Sequence, residues 1–556
     1  MSNPAKHGLF IFLIIIFSLL ACWKLFNSSF YTSHDGEGHV IRMIEYDEAW
    51  KDGQIPVRIA KRINYGLGYP FFNFNYPFVY FLGEIFHLGG FSFVASFKLL
   101  FILSIFIGSV SMYVFMLSHV SMIASFISAL FYIFVPYRFL NMYVRGNPAE
   151  SLALALLPLL LFCTDRLFRT KGEKFGLLIV IGSLFMLSHN GTALIGVPVI
   201  LLYFSIQLCF SSYRKHILKK FVLACILIAC VTSFFWIPLI SETGLTKLAE
   251  LSEDYPFFFP TIREVLYSPW GFGAYKQGIM PGKMSPQIGL LHIGFFTVSV
   301  IYISTLLIRK KIVLKKDWFI LFFIGITFSA LFFMLPVSKF IWDNFSLFRM
   351  IQIPWRFLGI IVLGCSVSAG YIVSFIEVPR LCKIVGCIIG VSLLLYANRN
   401  HIRVNMYTDF TNPFDRHPTY GFSTTSKDEH MPRLAPRIHE DPKSDGDLFP
   451  SESGTSKRTV WKSNFQEFII DTNTPLEFRA NVSYFPGWRA SLDGTSVPIL
   501  YSKDEYQRLR ITVPPGIHKA VFRFGEPWYR LFSDIVSVIA VVYILGIMIQ
   551  KKGKNL

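Results

Sequence analysis

The chain has 556 residues, of which 53% are hydrophobic, 17% are aromatic and only 16% are charged. A water-soluble fold needs a polar surface, so this composition excludes one and indicates that lipid surrounds most of the chain. The net charge of +18 does not indicate nucleic acid as a partner, because the basic residues lie in short loops between apolar runs.

About twelve apolar runs are long enough, or nearly so, to cross the bilayer as helices. The positive-inside rule places the basic loops around 166–174, 214–220 and 309–316 in the cytoplasm, together with both termini. The polar segments 27–90, 241–288 and 398–529 are then predicted to lie outside. The predicted spans begin near Leu9, Val94, Met122, Ala149, Phe175, Thr192, Phe221, Gly289, Trp318, Trp355, Ile384 and Ser533.

The apolar segment from Tyr76 to Gly89 is too short for a span and contains Glu84 and His87. If it were a span, every later basic loop would lie outside the cytoplasm, against the positive-inside rule. We therefore predict a helix that lies at the outer membrane interface.

The sequence predicts four regions in chain order. Residues 1–397 form the transmembrane domain, and residues 398–464 form an irregular linker. Short alternating runs separated by turns predict a small β-sandwich over 465–527, with exposed aromatic residues such as Trp488. Residues 528–556 form a final transmembrane helix with a basic tail.

The first candidate site follows the first span. Asp35 and His39 are four residues apart, so they share one face if the helix begins there. A carboxylate and an imidazole together suit proton abstraction. The alternatives are that Asp35 only caps the helix, or that Asp35 and Glu37 form part of a metal site.

Further candidates lie at the predicted outer ends of later spans. Burying Arg145 and Glu150 at membrane depth costs free energy, which indicates that they are functional or that they pair with each other. His189 is a phosphate ligand or an interfacial hydrogen-bonding group. Trp355 and Arg356 either hold a lipid phosphate or anchor the helix in the aromatic belt.

At these residues the chain resembles the GT-C glycosyltransferase superfamily and, within it, the bacterial membrane proteins called pyruvoyl-tetrahydropterin-synthase-related or YfhO-like. The resemblance covers nearly the whole chain, and its specificity comes from the order of the motifs. They are His34-Asp35 through His39 and Arg42, Gly53-Gln-Ile-Pro56, Asn64 to Pro70, Phe74 to Pro77, Arg145-Gly with Glu150, Leu187 to Asn190, Ser268 to Gly273, Gln287 to Gly289, Ile353 to Phe357, Thr424 to Glu429, and Tyr484 to Trp488 with Asp493-Gly494.

The resemblance implies a polytopic α-helical membrane protein with a GT-C-like fold and a C-terminal extracytoplasmic β domain, in a bacterial inner membrane. It implies an inverting glycosyltransferase that moves a sugar from a polyprenyl-phosphate donor to a cell-envelope acceptor. A flippase for lipid-linked glycans and a non-catalytic assembly protein of the same fold are the alternatives.

The resemblance also assigns roles to residues. Asp35 is the implied catalytic base that activates the acceptor, and Glu150 matches a second acidic position of the catalytic site. We predict His39 as a further catalytic residue, which orients Asp35 or shares the proton. A divalent metal, Mg²⁺ or Mn²⁺, stays open, with Asp35, Glu37 and Glu150 as its candidate ligands. The predicted substrate-binding residues are His34, Glu37, Arg42, Arg145, His189, Trp355 and Arg356.

Overall fold

The computed structural model describes residues 4–249, 254–278, 280–415, 430–433, 435, 446–501 and 506–553. The motif from 424 to 429 lies outside these residues. The α-helices are α1 (Pro4–Cys22), α2 (Gly36–Lys51), α3 (Pro77–Leu88), α4 (Phe93–Met116), α5 (Met122–Ile133), α6 (Pro136–Phe139), α7 (Pro148–Arg169), α8 (Gly176–Met186), α9 (Asn190–Phe210), α10 (Arg214–Glu242), α11 (Ile262–Leu266), α12 (Leu290–Ile308), α13 (Leu314–Met334), α14 (Lys339–Asn344), α15 (Ser346–Arg349), α16 (Leu358–Phe375), α17 (Arg380–Asn398) and α18 (Trp528–Gly553).

The strands are short and most of them follow the helical region. They are β1 (Phe30–Tyr31), β2 (Tyr407–Thr408), β3 (Gly446–Phe449), β4 (Gly454–Trp461), β5 (Phe465–Thr472), β6 (Leu476–Ser483), β7 (Trp488–Leu492), β8 (Thr495–Val497), β9 (Arg508–Val513) and β10 (Gly516–Phe524). The prediction of a polytopic helical protein with a C-terminal β region is confirmed.

Within the described residues, 10 helices are long and apolar enough to cross a membrane. The helix α5 and the segment Pro136–Arg145 meet at a bend of 44°. If this bent pair counts as one span, the number of spans rises to 11. The span predicted from Phe175 differs, because α8 has only 11 residues. It ends at Met186, and α9 begins at Asn190, where the side chain of His189 caps the helix by accepting a hydrogen bond from the Thr192 amide. Of the runs predicted to be long enough or nearly so, this one therefore forms a shorter apolar helix.

The chain forms two compact units that interleave along the sequence. The first unit contains Met1–Glu37, Val94–Ala229 and Ser252–Asp409, and the second contains Gly38–Phe93, Cys230–Leu251 and Phe410–Leu556. This division differs from the predicted boundary at 397 in where it places the outer segment 38–90. That segment belongs with the β region because Ile59 packs in the β core and Gln54 Nε2 donates to Ser463 Oγ at 2.6 Å.

The helix α16 forms the centre of the first unit and packs against α5, α12 and α13. Glycines permit the close approach. A Cβ added at Gly370 would stand 2.8 Å from the Ala124 carbonyl oxygen of α5. The Ser128 hydroxyl also donates to the Ser366 carbonyl oxygen at 2.6 Å. Small residues and hydroxyls therefore join these helices, as is usual where lipid supplies no hydrophobic drive between them.

The second unit contains two antiparallel sheets, one with strand order β4-β5-β10-β7-β8 and one with order β3-β6-β9. The alternation of buried and exposed residues places Phe468, Phe478 and Phe522 in a shared core. The β-sandwich begins earlier than predicted, because β3 and β4 lie within the range assigned to the linker. Trp488 is 7% exposed and belongs to this core, so the prediction of an exposed aromatic there is wrong.

A buried ion pair joins the last helix of the second unit to the end of α10. Arg530 Nε lies 2.7 Å from Glu242 Oε1, and both side chains are almost fully buried. Asn73 Nδ2 and the Tyr529 hydroxyl also donate to the Glu242 carboxylate, at 2.9 Å and 2.6 Å. These hydrogen bonds satisfy a carboxylate that would otherwise be costly to bury.

Candidate active site

The turn before α2 is held against the turn before α7 by backbone hydrogen bonds. The His34 amide donates to the Val144 carbonyl oxygen at 3.0 Å, and the Asp35 amide donates to the Arg145 carbonyl oxygen at 2.8 Å. Gly146 has φ +68° and its missing Cβ would stand 2.3 Å from Ser33 Oγ, so glycine permits both the turn and the contact. Two separated sequence motifs therefore meet in the first unit.

A buried ion pair lies beside this junction. Glu150 is 1% exposed, and Arg145 Nη1 donates to its Oε2 at 2.6 Å. The Tyr137 hydroxyl donates to Glu150 Oε1, and Asn141 Nδ2 does so at 3.4 Å. The Asn147 side chain accepts from the Glu150 amide at 3.0 Å and thereby caps α7. Arg145 and Glu150 therefore pair with each other, as one of the two sequence interpretations holds.

Trp355 and Arg356 bring a second cation to the same carboxylate. The Arg145 guanidinium lies 4.6 Å from the centroid of the Trp355 ring, a cation–π contact. Arg356 Nε lies 3.7 Å from Glu150 Oε2. Two guanidinium groups thus share one carboxylate, and the three groups together carry a net charge of +1. We call Arg145, Glu150, Trp355 and Arg356 the arginine cluster.

His189 lies at the edge of the arginine cluster. Its Nδ1 accepts a hydrogen bond from the Thr192 amide at 3.1 Å, which leaves the ring proton on Nε2. Its ring interacts electrostatically with Arg356 and Glu150. A Cβ on Gly191 would lie 3.1 Å from Arg356 Nη1 and 3.4 Å from His189 Cε1, so the start of α9 packs tightly against both side chains.

Asp35 is linked to Arg145 by a backbone hydrogen bond and by electrostatic attraction. The carboxylate is partly exposed and interacts favourably with Arg145. His34 is exposed, and its Nε2 donates to the Phe272 carbonyl oxygen at 2.7 Å. Glu37 is exposed on the first turn of α2. The first unit therefore brings together Asp35, Arg145, Glu150, Trp355, Arg356 and His189.

The remaining two predicted residues belong to the second unit. His39 is 1% exposed, and its Nδ1 lies 3.3 Å from the Tyr80 hydroxyl. Arg42 is 7% exposed, with its guanidinium 5.2 Å from the centroid of the Phe71 ring. Both side chains are therefore enclosed by aromatic residues of their own unit.

The residues of the first unit do not fit a divalent metal. Among the residues that the structure describes, no three His, Cys, Asp or Glu side chains form a group that could hold a metal ion. Glu150, one of the candidate ligands, faces two guanidinium groups within 4 Å. A dication at this carboxylate would be repelled by the net positive charge of the arginine cluster.

Sequence reasoning missed Tyr137 and Asn141, which both contact Glu150. Their signal was present, because Pro136 interrupts an apolar run and the polar Asn141 follows it. A π-helix over Leu140–Arg145 turns Asn141 and Arg145 toward the same carboxylate. A π-helix is rare and leaves no clear pattern in a single sequence.

Comparison with known proteins places the chain in a family. The model of the family described as "6-pyruvoyl-tetrahydropterin synthase related domain; membrane protein" matches residues 72–395, which is more than half of the chain. An uncharacterised protein of Lactococcus lactis subsp. cremoris is 26% identical over 228 residues, which cover 40% of this chain and 36% of that protein. The chain thus spans about a third of the length of this relative.

A solved structure also shows some similarity. The apo oligosaccharyltransferase of Archaeoglobus fulgidus aligns with 71% of this chain and 55% of its own, at 12% identity and a TM-score of 0.39. By the extent of the family match, the chain belongs to the 6-pyruvoyl-tetrahydropterin synthase related family of membrane proteins.

Proposed function

We propose that this chain is a membrane glycosyltransferase that moves a sugar from a polyprenyl-phosphate donor to an acceptor on the outer side of a bacterial cytoplasmic membrane. The observation that supports it is the junction of two turns, where the Asp35 amide bonds to the Arg145 carbonyl oxygen at 2.8 Å. A partly exposed carboxylate then lies beside a buried cluster with surplus positive charge. This combination suits a base next to an anionic leaving group.

The proposed reaction is a single inverting displacement. Asp35 takes the proton of the acceptor hydroxyl, and the acceptor oxygen forms a bond to the anomeric carbon of the sugar. The bond between that carbon and the phosphate oxygen breaks on the opposite face. The departing phosphate keeps the electron pair and is stabilised by Arg356 and Arg145, so it needs no proton.

Two predicted residues receive a narrower role in this proposal. Glu150 has its two carboxylate oxygens engaged by Arg145, Tyr137 and Asn141, so we assign it to positioning the arginines rather than to proton transfer. His189 keeps its ring proton on Nε2, which makes it a donor for a phosphate oxygen. Neither role requires a metal.

The test is transfer of radiolabelled sugar from a panel of polyprenyl-phosphate sugars into cell-envelope material, in membranes that contain the intact chain or Asp35→Asn. Asp409→Asn is the matched control, because Asp409 is an exposed carboxylate of the same unit. We expect transfer by the intact chain and the control, and a loss of at least 100-fold in Asp35→Asn at equal protein level.

Equal transfer by all three proteins would remove Asp35 as the base. No transfer by any of them across a broad donor panel would contradict the glycosyltransferase proposal. A flippase or an assembly protein would then account better for the same buried arginines.

A further inference from the structure

The end of the five-stranded sheet that leads into α18 carries three exposed cations. Arg489 of β7 and Arg523 of β10 stand directly opposite each other in the antiparallel register. Lys462 lies in the turn between β4 and β5, and the Phe524 amide donates to the Asn464 carbonyl oxygen of this turn at 2.9 Å. All three cationic side chains are exposed. We call Lys462, Arg489 and Arg523 the cationic rim.

The charge of the cationic rim is not compensated within the described part of the chain. None of its three side chains takes part in an ion pair there, and Arg523 instead has its guanidinium 5.4 Å from the centroid of the Phe465 ring. The carboxylates of the neighbouring strands and turns are each engaged by another cation, in the pairs Asp52–Lys61, Glu467–Lys519 and Glu526–Arg58, at 3.0, 2.7 and 3.1 Å.

Two like charges directly opposite each other on neighbouring strands destabilise a sheet. Arg489 and Arg523 have this arrangement at the edge of the sheet, where Arg489 lies beyond the residues of β7 that pair with β8. An anion between the two guanidinium groups would remove the repulsion. A phosphate suits this position, because each guanidinium can bind it through two parallel hydrogen bonds.

The cationic rim lies close to the membrane surface. Trp528, the first residue of α18, follows Arg523 by five positions, and five residues reach at most about 18 Å. The span predicted from composition starts at this tryptophan. Trp528 is exposed and is followed by the exposed Leu531 and Phe532, which is typical of an aromatic residue at the interface that precedes a lipid-facing helix surface. The anions present at this depth are lipid headgroups.

We propose that the cationic rim docks on anionic phospholipid headgroups at the membrane surface, with one phosphate held between Arg489 and Arg523. The rim selects anionic over zwitterionic lipids, because the ammonium of a zwitterionic headgroup already compensates its phosphate. This surface fixes the position of the β region on the bilayer. It is independent of the proposed function, since no residue of the rim belongs to the candidate active site.

The test uses the full-length chain in phosphatidylcholine nanodiscs that contain a phosphatidylglycerol with a diazirine on its headgroup. We expect crosslinks in β7 and at the end of β10, and about tenfold fewer in the variant that combines Arg489→Gln with Arg523→Gln. Lys457→Gln is the matched control, because Lys457 is an exposed cation of the same sheet that stands opposite Ile469, away from the rim. Crosslinks to the basic loop at 214–220 are the internal standard and should not change.

Three outcomes would overturn the proposal. Equal labelling of the double variant and of Lys457→Gln would show that the two arginines do not hold the headgroup. Equal labelling by a phosphatidylcholine that carries the same diazirine would show proximity without recognition of charge. Competition by soluble glycerol phosphate that matches competition by phosphatidylglycerol would assign the rim to a free phosphate instead of the membrane.

Amide hydrogen exchange in β7 and β10 tests the same proposal without a crosslinker. In phosphatidylcholine alone, Arg489→Gln should exchange no faster than the intact chain, because the substitution removes the like charge opposite Arg523. When phosphatidylglycerol is added, exchange should slow several-fold in the intact chain and stay unchanged in the variant. Faster exchange in the variant without anionic lipid would show that Arg489 is stabilised within the protein, against the proposal.

Discussion

At the scale of single residues, Glu150 accounts for the stability of the buried arginine cluster. It is the carboxylate within 4 Å of both Arg145 and Arg356. Glu150→Gln keeps the shape of the side chain and removes the charge that compensates both guanidinium groups. We expect the free energy of unfolding to fall by about 3–5 kcal/mol, the usual cost of leaving a buried charge unpaired.

Thermal unfolding in detergent measures this loss. The variant that combines Arg145→Met with Glu150→Leu removes both charges and should recover part of the stability. If the double variant is no more stable than Glu150→Gln, the ion pair is not the source of the loss.

A substitution at Tyr137 tests the hydrogen bonding of the Glu150 carboxylate without removing its charge. Tyr137→Phe removes only the hydroxyl that donates to Glu150 Oε1. Because hydrogen bonds to charged groups contribute about 1.5–3 kcal/mol, we expect a loss of this order in the free energy of unfolding. Tyr213→Phe, at a residue that is 49% exposed, should leave the unfolding temperature unchanged. An equal loss in both variants would contradict the role of Tyr137.

The sequence indicated most members of this site but not their partners. Charged residues at the ends of apolar runs are conspicuous because burial in a membrane is costly, and this pointed to Arg145, Glu150 and Arg356. Which cation meets which carboxylate depends on helix packing and on the π-helix at Leu140–Arg145. Neither leaves a periodic signal in a single chain, so Tyr137 was missed.

At the scale of elements, the packing of α16 depends on glycine. Gly370→Ala would place a Cβ 2.8 Å from the Ala124 carbonyl oxygen, so α5 and α16 would have to separate. We expect a loss of about 1–3 kcal/mol in the free energy of unfolding, which thermal unfolding would detect. Gly386→Ala in α17 is the control, because a Cβ added there would meet no atom within 4 Å and alanine favours a helix. Equal effects at both sites would contradict the packing argument.

The segment after α17 is joined to the loop before α12 by a neutral histidine. His401 Nδ1 donates to Asn398 Oδ1 at 3.0 Å, and its Nε2 accepts from Gln287 Nε2 at 3.3 Å. Burial, together with the charge of Arg403, lowers the pKa of His401 to about 4. The unfolded chain binds a proton below about pH 6.5, which the folded histidine does not, so this contribution to stability is lost as the pH falls from about 6.5 to 4.

The measurement is the unfolding temperature between pH 7.5 and pH 5 for the intact chain and for His401→Gln. Glutamine cannot titrate in this range, so we expect the variant to lose less stability on acidification than the intact chain. Identical pH profiles would show that other groups cause the acid sensitivity.

At the scale of the whole molecule, hydropathy predicted the helices well because spanning length and apolar composition are local properties. It did not predict that residues 38–93 belong with the β region. That grouping depends on contacts across several hundred residues, such as Gln54 with Ser463. The start of the β-sandwich was placed too late for a related reason, since β4 is polar and only partly buried along its length.

The orientation in the membrane stays a prediction and can be measured directly. Phosphatase fusions, which are active only outside the cytoplasm, should be inactive after Lys171 or Lys310 and active after Gly494. These positions lie in two basic loops and in the β region. The opposite pattern would invert the assignment of the proposed acceptor side.

The short helix α8 makes bilayer thickness matter for this protein. Its 11 residues rise about 16 Å, roughly half of the hydrocarbon layer, yet it leads directly to His189 and the arginine cluster. A polar group at the end of so short a helix either sits below the headgroups or draws them inward. We therefore expect the lipid beside α8 to thin or to admit water, and the activity of the protein to depend on the acyl-chain length of the bilayer.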